Sequence, residues 1–138
     1  MDIKVLHQMV LLVEDNPADA NLVEEAFTEE QIDSTLQVVW DGAKAIEFLE
    51  TLDADQSVQP PDLVMLDLNL PKVSGEDVLK RIRLSPRCAG TKVLIISSSD
   101  LAADRDRVMG LGATAYFRKP STLDEFMQLG PTVRRLLQ

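Results

Sequence analysis

The chain is poor in the residues that most often advertise a function. Its 138 residues hold one cysteine, one histidine, one tryptophan and one tyrosine. A lone Cys88 excludes an internal disulfide, and His7, expected to be an exposed terminal residue, has no partner pattern for a metal site. No apolar run approaches the roughly 20 residues of a membrane span. The amino-terminal stretch reaches only Met9-Val10-Leu11-Leu12-Val13 before Glu14 and Asp15 interrupt it, which is too short for a secretory signal. No Gly-rich phosphate loop follows any apolar run, which argues against a nucleotide-binding protein. These absences predict a cytoplasmic protein.

Cations are also scarce. There are 14 lysines and arginines against 23 aspartates and glutamates, a net charge of −9 with a pI near 4.5. That balance excludes broad nucleic-acid binding, which sets cations against a phosphate array. It disfavours adsorption to an anionic membrane for the same reason. The deficit is uneven. Residues 1–69 carry 16 acids and 2 bases, giving −14, whereas residues 70–138 carry 7 acids and 12 bases, giving +5. The chain is therefore electrically polar, and its two sides can steer different protein partners.

What is present is a regular alternation. Short continuous apolar runs at Met9–Val13, Leu36–Val39, Leu63–Leu66, Val93–Ile96 and Ala115–Phe117 read as strands covered on both faces. Between them lie segments of helical period. Pro17–Thr28 opens with Asn16 as N-cap, Pro17 at the first helical position and Asp19 in the first turn. Gly42, Ala45, Ile46 and Leu49, then Gly75, Val78, Leu79 and Ile82, repeat one apolar stripe. The segment Leu101–Leu111 has only a thin stripe. A fifth helix should start at Ser121, with Asp124 completing a capping box, and kink at Gly130-Pro131. The one long connection is expected at Thr51–Pro61. Five strands alternating with five helices predict an α/β fold, a parallel sheet wrapped by helices. No repeat or linker interrupts it, so residues 1–138 are expected to form a single domain with no output domain.

In open α/β sheets, ligands bind beyond the carboxyl ends of the strands. Glu14 and Asp15 follow the first strand, Asp67 ends the third, and Ser97, Ser98 and Ser99 follow the fourth. Lys119 and Pro120 follow the fifth. Three carboxylates so close would repel one another, and a divalent cation removes that difficulty. An all-oxygen donor set suits Mg²⁺, with Mn²⁺ as the alternative, rather than zinc. A carboxylate there could attack phosphorus to give an aspartyl phosphate, with lysine and serine holding the phosphoryl oxygens.

These residues resemble the receiver domain of bacterial two-component response regulators over nearly the whole chain. Glu14-Asp15 in LLVEDNPAD matches the family's acidic pair. Asp67 in LVMLDLNLPKVSG matches its phospho-accepting aspartate, with Asn69, Pro71 and Gly75 in place. Ser97, Lys119-Pro120 and Tyr116 fall at the switch hydroxyl, the lysine-proline pair and the aromatic switch position. LVEDNPAD, DGAKAIEFL and the Thr51–Pro61 loop look more narrowly like stand-alone receivers paired with bacterial phytochromes.

The resemblance implies a flavodoxin-like, doubly wound five-stranded parallel sheet of order 2-1-3-4-5 with helices on both faces. It implies that Asp67 accepts a phosphoryl group from a sensor histidine kinase or a small phosphodonor such as acetyl phosphate. Asp15, Asp67 and the Asn69 backbone carbonyl would bind Mg²⁺, with Glu14 acting mainly through a metal-bound water. Lys119 and Ser97 would hold the phosphoryl oxygens, and the small Ser98 would leave them accessible. Asn69 and Ser99 would tune dephosphorylation, while Ser97 and Tyr116 would switch the face formed by helix 4, strand 5 and helix 5. Such a protein is no enzyme toward external substrates and catalyses only its own phosphorylation and dephosphorylation. It would signal through an effector protein or a second copy, with Val133, Leu136 and Leu137 offering part of a dimer face. The alternative is a phosphorelay intermediate that passes phosphate to a histidine phosphotransfer protein. A Mg²⁺-dependent phosphatase is disfavoured, since Asn69 stands where that chemistry wants a second carboxylate. Trp40 is expected to pack, and Cys88 is placed in a polar loop without a role.

Overall fold

The structure is a computed structural model describing residues 7–138. The stretch ahead of His7, part of the segment read as no export signal, lies outside the described residues. Five strands form one sheet: β1 (Gln8–Val13), β2 (Ser34–Val39), β3 (Leu63–Asp67), β4 (Lys92–Ser97) and β5 (Ala115–Arg118). Every pairing is parallel and the order is β2-β1-β3-β4-β5. The helices are α1 (Pro17–Glu29), α2 (Gly42–Ala54), α3 (Gly75–Leu84), α4 (Ala102–Gly110), α5 (Leu123–Phe126) and α6 (Leu129–Leu136). This is the doubly wound, flavodoxin-like architecture.

Successive strand residues point to opposite faces, which divides the apolar runs between two cores. Leu11, Val13, Val64, Leu66, Val93 and Ile95 pack against Ala45 and Leu49 of α2, Leu79 and Ile82 of α3, and Val108 of α4. Val10, Leu12, Leu63, Met65, Leu94 and Ile96 pack against Val23 and Phe27 of α1, Phe126 of α5, and Leu129 and Val133 of α6. Each fully buried leucine or isoleucine contributes about 2 kcal/mol by leaving water. The central strands β3 and β4 are therefore continuous apolar runs, while the edge strand β2 is only half buried.

Helix starts follow local chemistry. The Asn16 side chain accepts from the Ala18 and Asp19 backbone N–H groups, Asp41 accepts from Lys44, and Ser74 accepts from Asp77. Several boundaries differ from the sequence reading. α2 runs through Ala54, so the long connection is shorter than Thr51–Pro61 and occupies 55–62. The cap of α5 is Thr122, which accepts from Glu125, not Ser121 with Asp124. The last helix is interrupted at Met127–Gln128 rather than at Gly130-Pro131. Pro131 has no N–H to give the Met127 carbonyl one turn back, and that carbonyl accepts from Gly130 instead.

Three side chains also differ in burial. Cys88 is fully buried among the α2 and α3 apolar groups, and the adjacent Arg87 ties its loop to the end of α2 by donating to the Leu52 and Asp55 carbonyls. Trp40 is 49% exposed just beyond the edge strand β2. Val133 is committed to the core and leaves only the partly buried Leu136 and Leu137 from the proposed dimer face. His7 is exposed, as expected.

Candidate functional site

The order reverses at β1, which lies between β2 and β3, so the loops after β1 and β3 diverge and leave a crevice. Glu14 and Asp15 stand at one lip and Asp67 at the other. Glu14 is locked by its backbone, its N–H donating to the Val39 carbonyl at 3.1 Å. Its Oε1 accepts from the Asn16 N–H at 3.2 Å, so the acid that precedes α1 is part of that helix's start. Asp67 ends the buried β3, and its Oδ1 accepts from the Asn69 N–H at 3.0 Å in an Asx-type turn. Gly75 permits the close approach of α3 behind it. A Cβ there would collide with the Asp67 carbonyl oxygen and lie 2.7 Å from the Leu68 Cα.

One carboxylate oxygen from each of Glu14, Asp15 and Asp67 lies within 4.8 Å of the others. Glu14 and Asp67 are buried and Asp15 is exposed, so the group is open on one side. Its all-oxygen, three-carboxyl donor set fits a divalent hard cation such as Mg²⁺ or Mn²⁺. Burial and the adjacent Asp67 charge push the Glu14 carboxyl up to about 7 despite Lys119. A cation in this group would relieve that repulsion.

Lys119 approaches from β5. Its backbone N–H donates to the Ser97 carbonyl at 2.7 Å, which aligns it with the end of β4. Its ammonium donates to Asp19 Oδ2 at 2.9 Å, Glu14 Oε2 at 3.1 Å and Asp67 Oδ2 at 3.4 Å. Burial alone would lower the lysine's affinity for its proton. Hydrogen bonding to Asp19 and the charges of Asp67 and Glu14 outweigh it and hold the pKa above the ordinary value. Asp19 is the member that sequence reasoning missed. The signal was its place in the first turn of α1, the helix that begins two residues after Asp15.

The serines divide. Ser97 is buried, and its hydroxyl accepts from the Ser99 N–H at 3.1 Å. Ser98 is exposed beside Lys119 on the open side. Ser99 turns away: its hydroxyl donates to Asp104 Oδ2 at 2.6 Å and accepts from the Leu101 N–H. Asn69 is exposed next to Asp67. Tyr116 is half buried, with its hydroxyl donating to the Ser99 carbonyl at 3.0 Å and the Arg105 guanidinium 6.0 Å from its ring centroid. α4 buries only Val108, in keeping with its thin stripe.

A flavodoxin-like sheet with three carboxylates, a lysine and a buried serine at its carboxyl edge defines a class of signalling proteins. The receiver-domain family of response regulators matches residues 10–129, and the chain belongs to it. Response regulator Rcp1 of Synechocystis sp. is 32% identical over 122 residues, covering 88% of this chain and 83% of Rcp1. The phosphorylated cyanobacterial phytochrome response regulator RcpA superposes with a TM-score of 0.84 at 30% identity, covering 96% of this chain and 94% of RcpA. The Mn²⁺-bound form of Rcp1 gives a TM-score of 0.81 at 31% identity, covering 92% and 91% of the two chains. Among the described residues, no helix is long and apolar enough to cross a membrane.

Proposed function

We propose that this protein is a cytoplasmic receiver that accepts a phosphoryl group on Asp67 from a sensor histidine kinase. An Asp67 oxygen forms a bond to phosphorus as the phosphorus–nitrogen bond of a phosphohistidine breaks, and the imidazole leaves with the electron pair. The carrying observation is that Lys119 and the Glu14, Asp15 and Asp67 group meet at one strand edge. Glu14, Asp15, Asp67 and the Asn69 carbonyl would hold Mg²⁺, which when bound offsets the charge of the carboxylates and the transferring group. Lys119 and Ser97 would bind phosphoryl oxygens, and the exposed Ser98 leaves room for the donor. The protein would act on no external substrate. Phytochrome response regulators among its structural relatives favour a bacterial phytochrome as the kinase.

Output would leave through α4, β5 and α5. Phosphorylation adds about two negative charges at Asp67. Ser97 would turn toward them, releasing the Ser99 N–H and shifting a loop that Tyr116 holds from β5. Because α4 is anchored by one buried side chain, a small free energy suffices to move it. The test is incorporation of acid-labile phosphate from acetyl phosphate with Mg²⁺, abolished by Asp67→Asn. Incorporation retained in that variant would overturn the assignment. Rapid transfer from the labelled protein to a histidine phosphotransfer protein would instead establish the phosphorelay role.

A further inference from the structure

An ammonium has three N–H donors, and Lys119 directs them to Asp19, Glu14 and Asp67. The shortest of the three contacts is to Asp19, at 2.9 Å. Asp19 is not in the carboxylate group that could hold a metal, and it caps no helix. Its place is rigid: it lies in the first turn of α1, with its own N–H directed at the Asn16 side chain. Glu14 and Asp67 carry other duties under the function proposed above, as candidate metal ligand and phosphoryl acceptor. Asp19 is the one partner of the lysine that the reaction leaves unused.

We propose that Asp19 is a positioning residue for Lys119: it tethers the ammonium so that one N–H stays aimed at the Asp67 oxygen, and then at the phosphoryl group. This inference rests on the proposed phosphoryl transfer. A lysine on a flexible four-carbon stem is not oriented by its own geometry, unlike a planar guanidinium. A tether that persists while the other two carboxylates change partners supplies that orientation. Asp19 could also act in the opposite sense, by drawing the ammonium's charge away from the phosphoryl group. The relative exposures decide between these effects. The Asp19 side chain is 27% exposed, against 1% for Glu14 and 6% for Asp67. Water therefore screens the Asp19 charge most, and its directional hydrogen bond is what remains.

Asp19→Ala and Asp19→Asn separate the two roles, because asparagine keeps an acceptor oxygen without the charge. Outer partners that orient a reactive group typically contribute 10- to 100-fold. Phosphorylation of Asp19→Ala by acetyl phosphate should be about tenfold slower than wild type, with most of the rate restored in Asp19→Asn. In the metal-free protein, the ordered Lys119 ammonium signal in ¹⁵N-lysine NMR should be lost in Asp19→Ala and kept in Asp19→Asn. An unchanged or faster Asp19→Ala overturns the proposal, as does an equal loss in both variants. Absence of incorporation in the wild-type protein would instead overturn the function on which it rests.

Discussion

The Tyr116 hydroxyl donates to the Ser99 carbonyl oxygen at 3.0 Å, joining β5 to the loop that leads into α4. Ser99 is held by three further hydrogen bonds: its N–H to Ser97, its hydroxyl to Asp104 and the Leu101 N–H to that hydroxyl. One residue thus ties the candidate switch hydroxyl, the first turn of α4 and the aromatic side chain together. Tyr116→Phe should lower stability by about 1 kcal/mol, the usual worth of one such bond. Hydrogen exchange should quicken at the Leu101–Arg105 amides and stay unchanged in β1 and β3. Faster exchange spread over the whole sheet would mean that the tyrosine serves general packing rather than this loop.

Lys119 stands against two buried acids, Glu14 and Asp67. Lys119→Ala removes their cation and should destabilise the metal-free protein by roughly 3 kcal/mol, as for a broken buried pair. Mg²⁺ can replace the missing charge. Ligand binding to the folded state alone contributes about 2.7 kcal/mol at a hundredfold excess over Kd. Urea denaturation with and without Mg²⁺ should therefore show a larger metal effect in the variant than in wild type. Equal effects would place the metal away from these acids.

Gly75 lies where a Cβ would strike the Asp67 carbonyl and the Leu68 backbone. Both obstacles are main chain and cannot rotate away. Gly75→Ala should cost about 2 kcal/mol of stability and also displace Asp67, weakening Mg²⁺ binding in calorimetry. Full stability in this variant would show that α3 can retreat without disturbing the site.

Cys88 is buried, and burial pushes its thiol above the ordinary value of 9.0. The folded protein should resist alkylation at pH 8 and react only on unfolding. The sign of the pH dependence follows from the same shift. The unfolded thiol ionises first, so its contribution to stability is whole below pH 9.0 and is lost as pH rises through the folded value. Cys88→Ala should flatten that alkaline decline while lowering stability at pH 7 through the cavity it leaves. Alkylation of the folded chain as fast as of the unfolded one would contradict the burial.

Much of the molecule was legible in the linear chain because the relevant forces act locally. Hydrophobic period distinguishes β3 from α3 within a dozen residues, and Asn16 and Ser74 cap helices that begin beside them. The acids after β1 and β3 and the lysine after β5 could be placed at one sheet edge, since parallel strands carry their carboxyl ends together. Misplaced boundaries arose where two local signals competed. Ser121 and Thr122 are both adequate caps, and packing of Phe126 into the core selects the register that uses Thr122.

By itself, the sequence determined the alternation of elements, the identity of the chemical groups and the sheet edge to which they belong. Only the tertiary structure decided which groups touch. Asp19 and Lys119 are 100 residues apart and meet at 2.9 Å because β1 and β5, with two strands between them in the sheet, deliver both chain segments to one crevice. Period and capping carry no information about such a distance. The same holds for Cys88, buried beside α2 and α3, and Trp40, half exposed just beyond the edge strand. Their burial depends on which helix covers them, a property of the assembled layers and of no single segment.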